Sequence, residues 1–75
     1  MAKVGQVYKM LDGPFMGGTI FAITNEGAIR YHTITNNGTV EYVSRDFIDC
    51  GGDCILLAEY PTWQQAVNSP EFNGR

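Results

Sequence analysis

Short runs of alternating apolar and polar residues, each closed by a glycine-bearing turn, set the rhythm of this chain. Met16-Gly17-Gly18, Asn25-Glu26-Gly27, Asn36-Asn37-Gly38 and Gly51-Gly52-Asp53 separate segments dense in Ile, Val, Thr, Tyr and Phe. Gly and Asn reach positive φ cheaply, as tight hairpins require, while branched and aromatic side chains suit a pleated sheet. The pattern predicts five strands. Residues 4–11 form the first, with Val4, Tyr8 and Met10 on one parity, and Asp12-Gly13-Pro14 breaks it. Residues 19–24 form the second, apolar on both parities and therefore central. In residues 28–35, Ile29, Tyr31, Thr33 and Thr35 oppose Arg30, His32 and Ile34. Asn36-Asn37-Gly38 is the strongest hairpin signal and leads into residues 39–43. Residues 55–60 supply the last strand.

Two stretches change period. Ser44-Arg45-Asp46-Phe47 predicts a single helical turn, with the Ser44 hydroxyl as its cap and Phe47 folded back into the core. After Pro61, Thr62 and Gln65 are spaced as a capping box for a helix over about 62–69, whose Trp63, Ala66 and Val67 share one face. Ser69-Pro70 ends that helix, Phe72 anchors the return, and residues 73–75 fray. Phe21, Phe47 and Trp63 are the expected aromatic core.

Length and charge narrow the function classes. Seventy-five residues make a single domain over 1–75, and 44% hydrophobic with 17% charged residues is too apolar for a solvated tail. A domain this small buries only about 60% of its unfolded surface, so a large cofactor would consume its core and none is expected. No run approaches the roughly 18 apolar residues of a bilayer span. The opening Met-Ala-Lys-Val-Gly-Gln lacks a signal-like apolar stretch, and the expectation is a soluble, cytoplasmic protein without membrane contact. The net charge of −3 is unevenly spread. Lys3, Lys9, Arg30 and Arg45 nearly balance Asp12, Glu26 and Glu41, whereas Asp46, Asp49, Asp53, Glu59 and Glu71 meet no base before residue 75. An acidic balance repels phosphate backbones, so nucleic acid is disfavoured as a partner.

Five short strands with a helical turn before the last fit a small antiparallel barrel. Val4-Gly5-Gln6-Val7-Tyr8, the Asn36-Asn37-Gly38 hairpin and Ser44-Arg45-Asp46-Phe47 carry a resemblance to SH3-like barrels over about residues 4–60. With the Trp-bearing helix at about 62–69, the chain resembles the small SH3-like proteins encoded by tailed bacteriophages. The resemblance implies a protein that binds macromolecules rather than an enzyme. For a phage-encoded chain it also implies modulation of a host enzyme or transcription component in the host cytoplasm.

The residues themselves offer little chemistry. Cys50 and Cys54 lack the second pair that a structural zinc site wants, and His32 is the only further soft ligand. On a three-residue hairpin the two thiols would flank the loop within disulfide reach, but two small half-buried residues beside a turn is the favoured reading. His32 reads as a surface or edge residue, and Asp46, Asp49 and Asp53 read as solvated loop acids whose spacing matches no calcium loop. No catalytic constellation and no metal site emerge.

Four Tyr, four Phe and one Trp exceed what so small a core can hide. Tyr8, Tyr31, Tyr42 and Tyr60 are able to share one sheet face, and Tyr with Arg30 is the composition of an interface hot spot. The alternative is a tyrosine-tiled rim with rings inward and hydroxyls wet. The expectation is thus a binding module for a partner protein. Its anchors are Tyr31, Tyr42 and Arg30, with Phe15 and Met16 in the loop beside them. A barrel that stacks single-stranded nucleic acid on aromatics, or a structural homodimer, are the alternatives.

Overall fold

A computed structural model describes residues 2–11 and 18–74. Five strands form one antiparallel sheet: β1 (Gln6–Met10), β2 (Ile20–Glu26), β3 (Arg30–Thr35), β4 (Val40–Ser44) and β5 (Cys54–Glu59). A short helix, α1 (Arg45–Asp49), precedes β5, and α2 (Trp63–Val67) and α3 (Pro70–Asn73) follow it. The spatial order is β4-β3-β2-β1-β5. Four strands meander and the fifth returns to the first. The sheet stays open among the described residues, with β4 and β5 as its edges, so the expected barrel closure is not seen.

Parity explains which residues go where, because successive side chains of a strand take opposite faces. On one face Met10, Phe21, Ile23, Tyr31 and Val43 pack with Ala2 and with Ile48 of α1, and Val4 and Tyr8 lie against them. On the other, Val7 and Ala22 pack with Ala66 of α2 and Phe72 of α3. The second strand is central, as its two-sided apolar pattern requires, and Phe21, Ala22 and Ile23 are all fully buried.

The turns follow the residues that shape them. Asn36-Asn37-Gly38 is a three-residue loop: the Gly38 N–H donates to Thr35 O at 2.9 Å, and the Thr35 N–H to Thr39 O at 2.9 Å. Gly38 alone in the loop takes positive φ, at 86°, as a type I turn followed by a left-handed residue demands. Gly5 is a second obligatory glycine, at φ 93°, where a Cβ would lie 2.2 Å from Tyr60 O. Its N–H donates to Ile23 O and its C=O accepts from the Tyr60 N–H, each at 3.0 Å. Gly5 thereby ties the start of β1 to β2 and to the end of β5.

The helices depart from expectation in instructive ways. Ser44 stands before α1 but its side chain caps nothing, and Ile48 is the buried residue of that helix while Phe47 packs partly buried against the same cluster. Thr62 does cap α2, accepting from the Gln65 N–H at 3.2 Å. That helix stops at Val67, and Pro70 opens a new helix where the sequence suggested an end. Proline at a first helical position loses no hydrogen bond, and Ser69 Oγ accepts from the Phe72 N–H at 3.2 Å. Gly74 closes α3 in the left-handed conformation, so residue 73 is helical rather than frayed. Phe72 is buried as expected, while Trp63 is only half-buried.

Candidate functional site

Helices α2 and α3 lie over β1 and β2, with Ile34 of β3 packed against their cluster, and leave most of the β3–β4 half of their face bare. The bare half carries a shallow depression of about 310 Å³ lined by Gly27, Ala28, Ile29, Arg30, His32 and Tyr42. Ile29 is 72% exposed and Tyr42 60%, with Val40 beside them at 61%. In a chain that hides Phe21 and Tyr31 entirely, this is a concentration of exposed apolar surface.

The walls of the depression are fixed by local geometry. The 36–38 loop centres the β3–β4 hairpin on Asn37, which sets His32 opposite Tyr42, Ile34 opposite Val40 and Arg30 opposite Ser44. The His32 and Tyr42 rings meet edge to face, centroids 4.8 Å apart at 76°. At its other end the Gly27 N–H donates to Arg30 O at 2.8 Å. A Cβ at Gly27 would sit 2.7 Å from that oxygen. Arg45 braces the turn from behind: its guanidinium donates to Gly27 O at 2.9 Å and lies 3.7 Å from Glu26. The same guanidinium covers the Tyr31 ring, 5.0 Å from its centroid. Arg30, by contrast, is exposed and makes no ion pair among the described residues.

The four tyrosines do not share a face, contrary to the sequence expectation. Register places Tyr31 opposite Val43 and Tyr42 opposite His32, so the two rings have opposite parity. Tyr31 is fully buried and its hydroxyl donates to Asp49 Oδ1 at 2.7 Å. It is a core residue and offers a partner nothing. Tyr8 stacks on Phe21 at 5.6 Å within the Tyr31 face, and Tyr60 packs on the opposite cluster with its hydroxyl on Glu71. Of the expected anchors, Arg30 and Tyr42 come together. Phe15 and Met16 lie outside the described residues.

Sequence reasoning passed over His32 and Ile29, and it underrated Asp49. The signal for His32 was present, since a hairpin centred on Asn37 must set it across from Tyr42. Asp49 is more than a solvated acid: it accepts from Tyr31 and, at 3.1 Å, from the Ala2 N–H. Those donors, the Tyr31 hydroxyl foremost, hold its carboxyl below the usual aspartate range. Cys50 and Cys54 are free thiols that do not flank a hairpin, because α1 and not a strand precedes the loop. Burial, then the neighbouring Asp53, pushes the Cys54 thiol up and so away from reactivity. Among the described residues no three His, Cys, Asp or Glu side chains converge on a metal-sized site, and no helix is long and apolar enough to cross a membrane.

No protein-family model, curated protein or solved structure matches this chain.

Proposed function

We propose that this chain is a non-enzymatic protein-binding module that seats a partner on the bare half of its sheet, with Tyr42, Ile29 and Arg30 as anchors. The observation that carries this reading is the exposure of Tyr42 and Ile29 around a preformed depression. A rigid ring and a guanidinium without an ion pair among the described residues are what protein interfaces concentrate, and Ile29 adds apolar area beside them. The sheet is read as an SH3-like framework: four strands in a meander, a helical turn, and a fifth strand returned to the first. Such a module acts by occlusion or recruitment. For a chain of phage origin, the partner is a host enzyme or transcription component.

The test compares the tagged protein with its Tyr42→Ala and Ile29→Ser variants in affinity capture from native cytosol. Both positions are largely exposed, so the melting temperature should hold, within about 0.5 kcal/mol of stability. The proteins retained by the parent chain should be missing from both variants. An unchanged set of retained proteins would refute the assignment of this face.

A further inference from the structure

The bare face ends at β4, which pairs with β3 alone among the described residues, and the alternation of the ladder shows which groups it offers. Thr35 donates to Thr39 O at the loop end, and Arg45 donates to Ile29 O at 3.1 Å at the other. In an antiparallel pair, residues alternate between facing the neighbour's backbone and facing away. Residues 39, 41 and 43 therefore turn their N–H and C=O groups toward β3, and Arg45 its N–H. Val40 and Tyr42 point both groups at the free edge and Ser44 its N–H, its C=O being taken by the first turn of α1, and all three residues are exposed. Their side chains also lie on the bare face, beside His32 and Arg30. One row of residues thus presents both ladder groups and anchoring side chains.

β4 is lightly protected as an edge, its one charge being Glu41 on the opposite face. It holds no Lys, Pro or bulge, devices that ordinarily discourage strand addition. The opposite edge differs, because the register shift that leaves Leu57 unpaired against β1 bends β5, and Asp53 and Glu59 flank it. Charge gives the occupant its chemistry. The outward parity of β3 and β4 includes Arg30 and His32 and no carboxylate. Glu41 takes the opposite parity, and Glu26 is engaged by Arg45.

Resting on the proposed docking role, we infer that the partner contributes an extended peptide segment that adds to β4 as a sixth strand, with a carboxylate set against Arg30. Backbone hydrogen bonds at Val40, Tyr42 and Ser44 supply register. An apolar side chain of the segment fills the depression between Ile29 and Tyr42, and an Asp or Glu meets the planar guanidinium in a two-pronged pair.

The probe is a displayed library of random linear peptides selected on the intact protein, followed by affinity measurement of the enriched peptides on variants. Ser44→Pro is the decisive one. Ser44 has φ −53° and its side chain caps nothing, so proline fits and deletes only the outward N–H. The inference expects enriched peptides that place Asp or Glu two or four positions from an apolar residue. It expects Ser44→Pro and Arg30→Glu each to weaken them about tenfold or more, the equivalent of one charge-assisted or ladder hydrogen bond. Peptides that lose binding with Tyr42→Ala yet ignore Ser44→Pro and Arg30→Glu would overturn strand addition and leave the docking face standing. Peptides indifferent to Tyr42→Ala would refute the face itself. Failure to enrich any acidic peptide would overturn the inference. So would a concentration-dependent dimer in light scattering that Ser44→Pro dissolves, because the edge would then belong to a second copy.

Discussion

Tyr31 shows how one residue's role turns on parity. In composition it matches Tyr42, but it lies one position out of step with it across the hairpin, and its ring fills the larger cluster beneath the Arg45 guanidinium. Its hydroxyl keeps a foothold at the surface through Asp49. Truncation to alanine removes a fully buried ring and should cost about 3–5 kcal/mol, much of the stability available to so small a domain. Tyr31→Phe retains the ring and loses only the hydroxyl, so it should fold with a modestly lower melting temperature. The phenylalanine variant should also release Asp49 toward an ordinary titration, because the hydroxyl is the main cause of its depressed pKa. Following the Asp49 carboxyl by NMR between pH 2 and 6 checks this, and an unmoved midpoint would show that Ala2 and not Tyr31 holds the carboxylate. The parities of Val4, Tyr8 and Met10 and of Ile29 through Ile34 were legible in the sequence, because period-2 alternation needs only local order. The pairing of Tyr31 with Val43 was legible as well, but only to a reading that carried the hairpin centre through to each partner.

At the scale of elements, the C-terminal pair α2 and α3 decides which half of the sheet stays bare. Each helix is far too short to hold itself together in water, so caps and packing must do it. Ser69 is the joint between them. It is nearly fully buried, its Oγ donates to Ala66 O at the end of α2, and it accepts from the Phe72 N–H at the start of α3. Ser69→Ala strands the Phe72 N–H in a buried place, whereas Ala66 O keeps the Ser69 backbone N–H at 3.1 Å. The expected loss is about 1–2 kcal/mol, which for a domain of this size lowers the melting temperature by roughly 4–16 °C. Ser69→Thr, which keeps the hydroxyl, should recover part of it. Calorimetry of the two variants measures the difference, and equal melting curves would mean that Phe72 burial alone fixes α3. This joint escaped sequence reading because Ser-Pro ends a helix or begins one with the same letters. Only the apolar Phe72 behind it, needing cover on the sheet, selects the second meaning. Sheet closure was illegible for a related reason: strand count and turn length are the same for an open sheet and a barrel, and long-range edge pairing has no local signature.

For the molecule as a whole, hydrogen bonds from tyrosine hydroxyls tie its separate parts, and they set its response to pH. The Tyr8 hydroxyl donates to Gln6 Oε1 at 2.8 Å, and Gln6 Nε2 donates to Glu59 Oε2 at 2.7 Å, which joins β1 to β5. Tyr31 joins β3 to α1, and Tyr60 joins the end of β5 to Glu71 of α3. Burial, followed by the Cys54, Tyr31, Asp49 and Glu59 charges, pushes the Tyr8 phenol up to about 12. A pKa raised above its unfolded value contributes stability that is complete below about pH 10 and disappears as pH climbs through the folded value. Asp49 and Glu71 run the other way, each lowered first by its tyrosine donor. Their contribution is present above about pH 4 and is lost as pH falls through the depressed values. The melting temperature should therefore be level from about pH 5 to 9 and fall on both sides. The limbs share the Tyr31–Asp49 and Tyr60–Glu71 bonds but are separable at Tyr8, which owes its shift first to burial. Tyr8→Phe removes one ionising group and should flatten the alkaline limb between about pH 10 and 12 while leaving the acid limb in place. Asp49→Asn combined with Glu71→Gln should flatten the acid limb and, because the same carboxylates help raise the Tyr60 and Tyr31 phenols, ease the alkaline limb in part. Thermal unfolding of both variants across the pH range decides it: if Tyr8→Phe leaves the alkaline limb as steep as in the parent chain, Tyr31 and Tyr60 carry that limb.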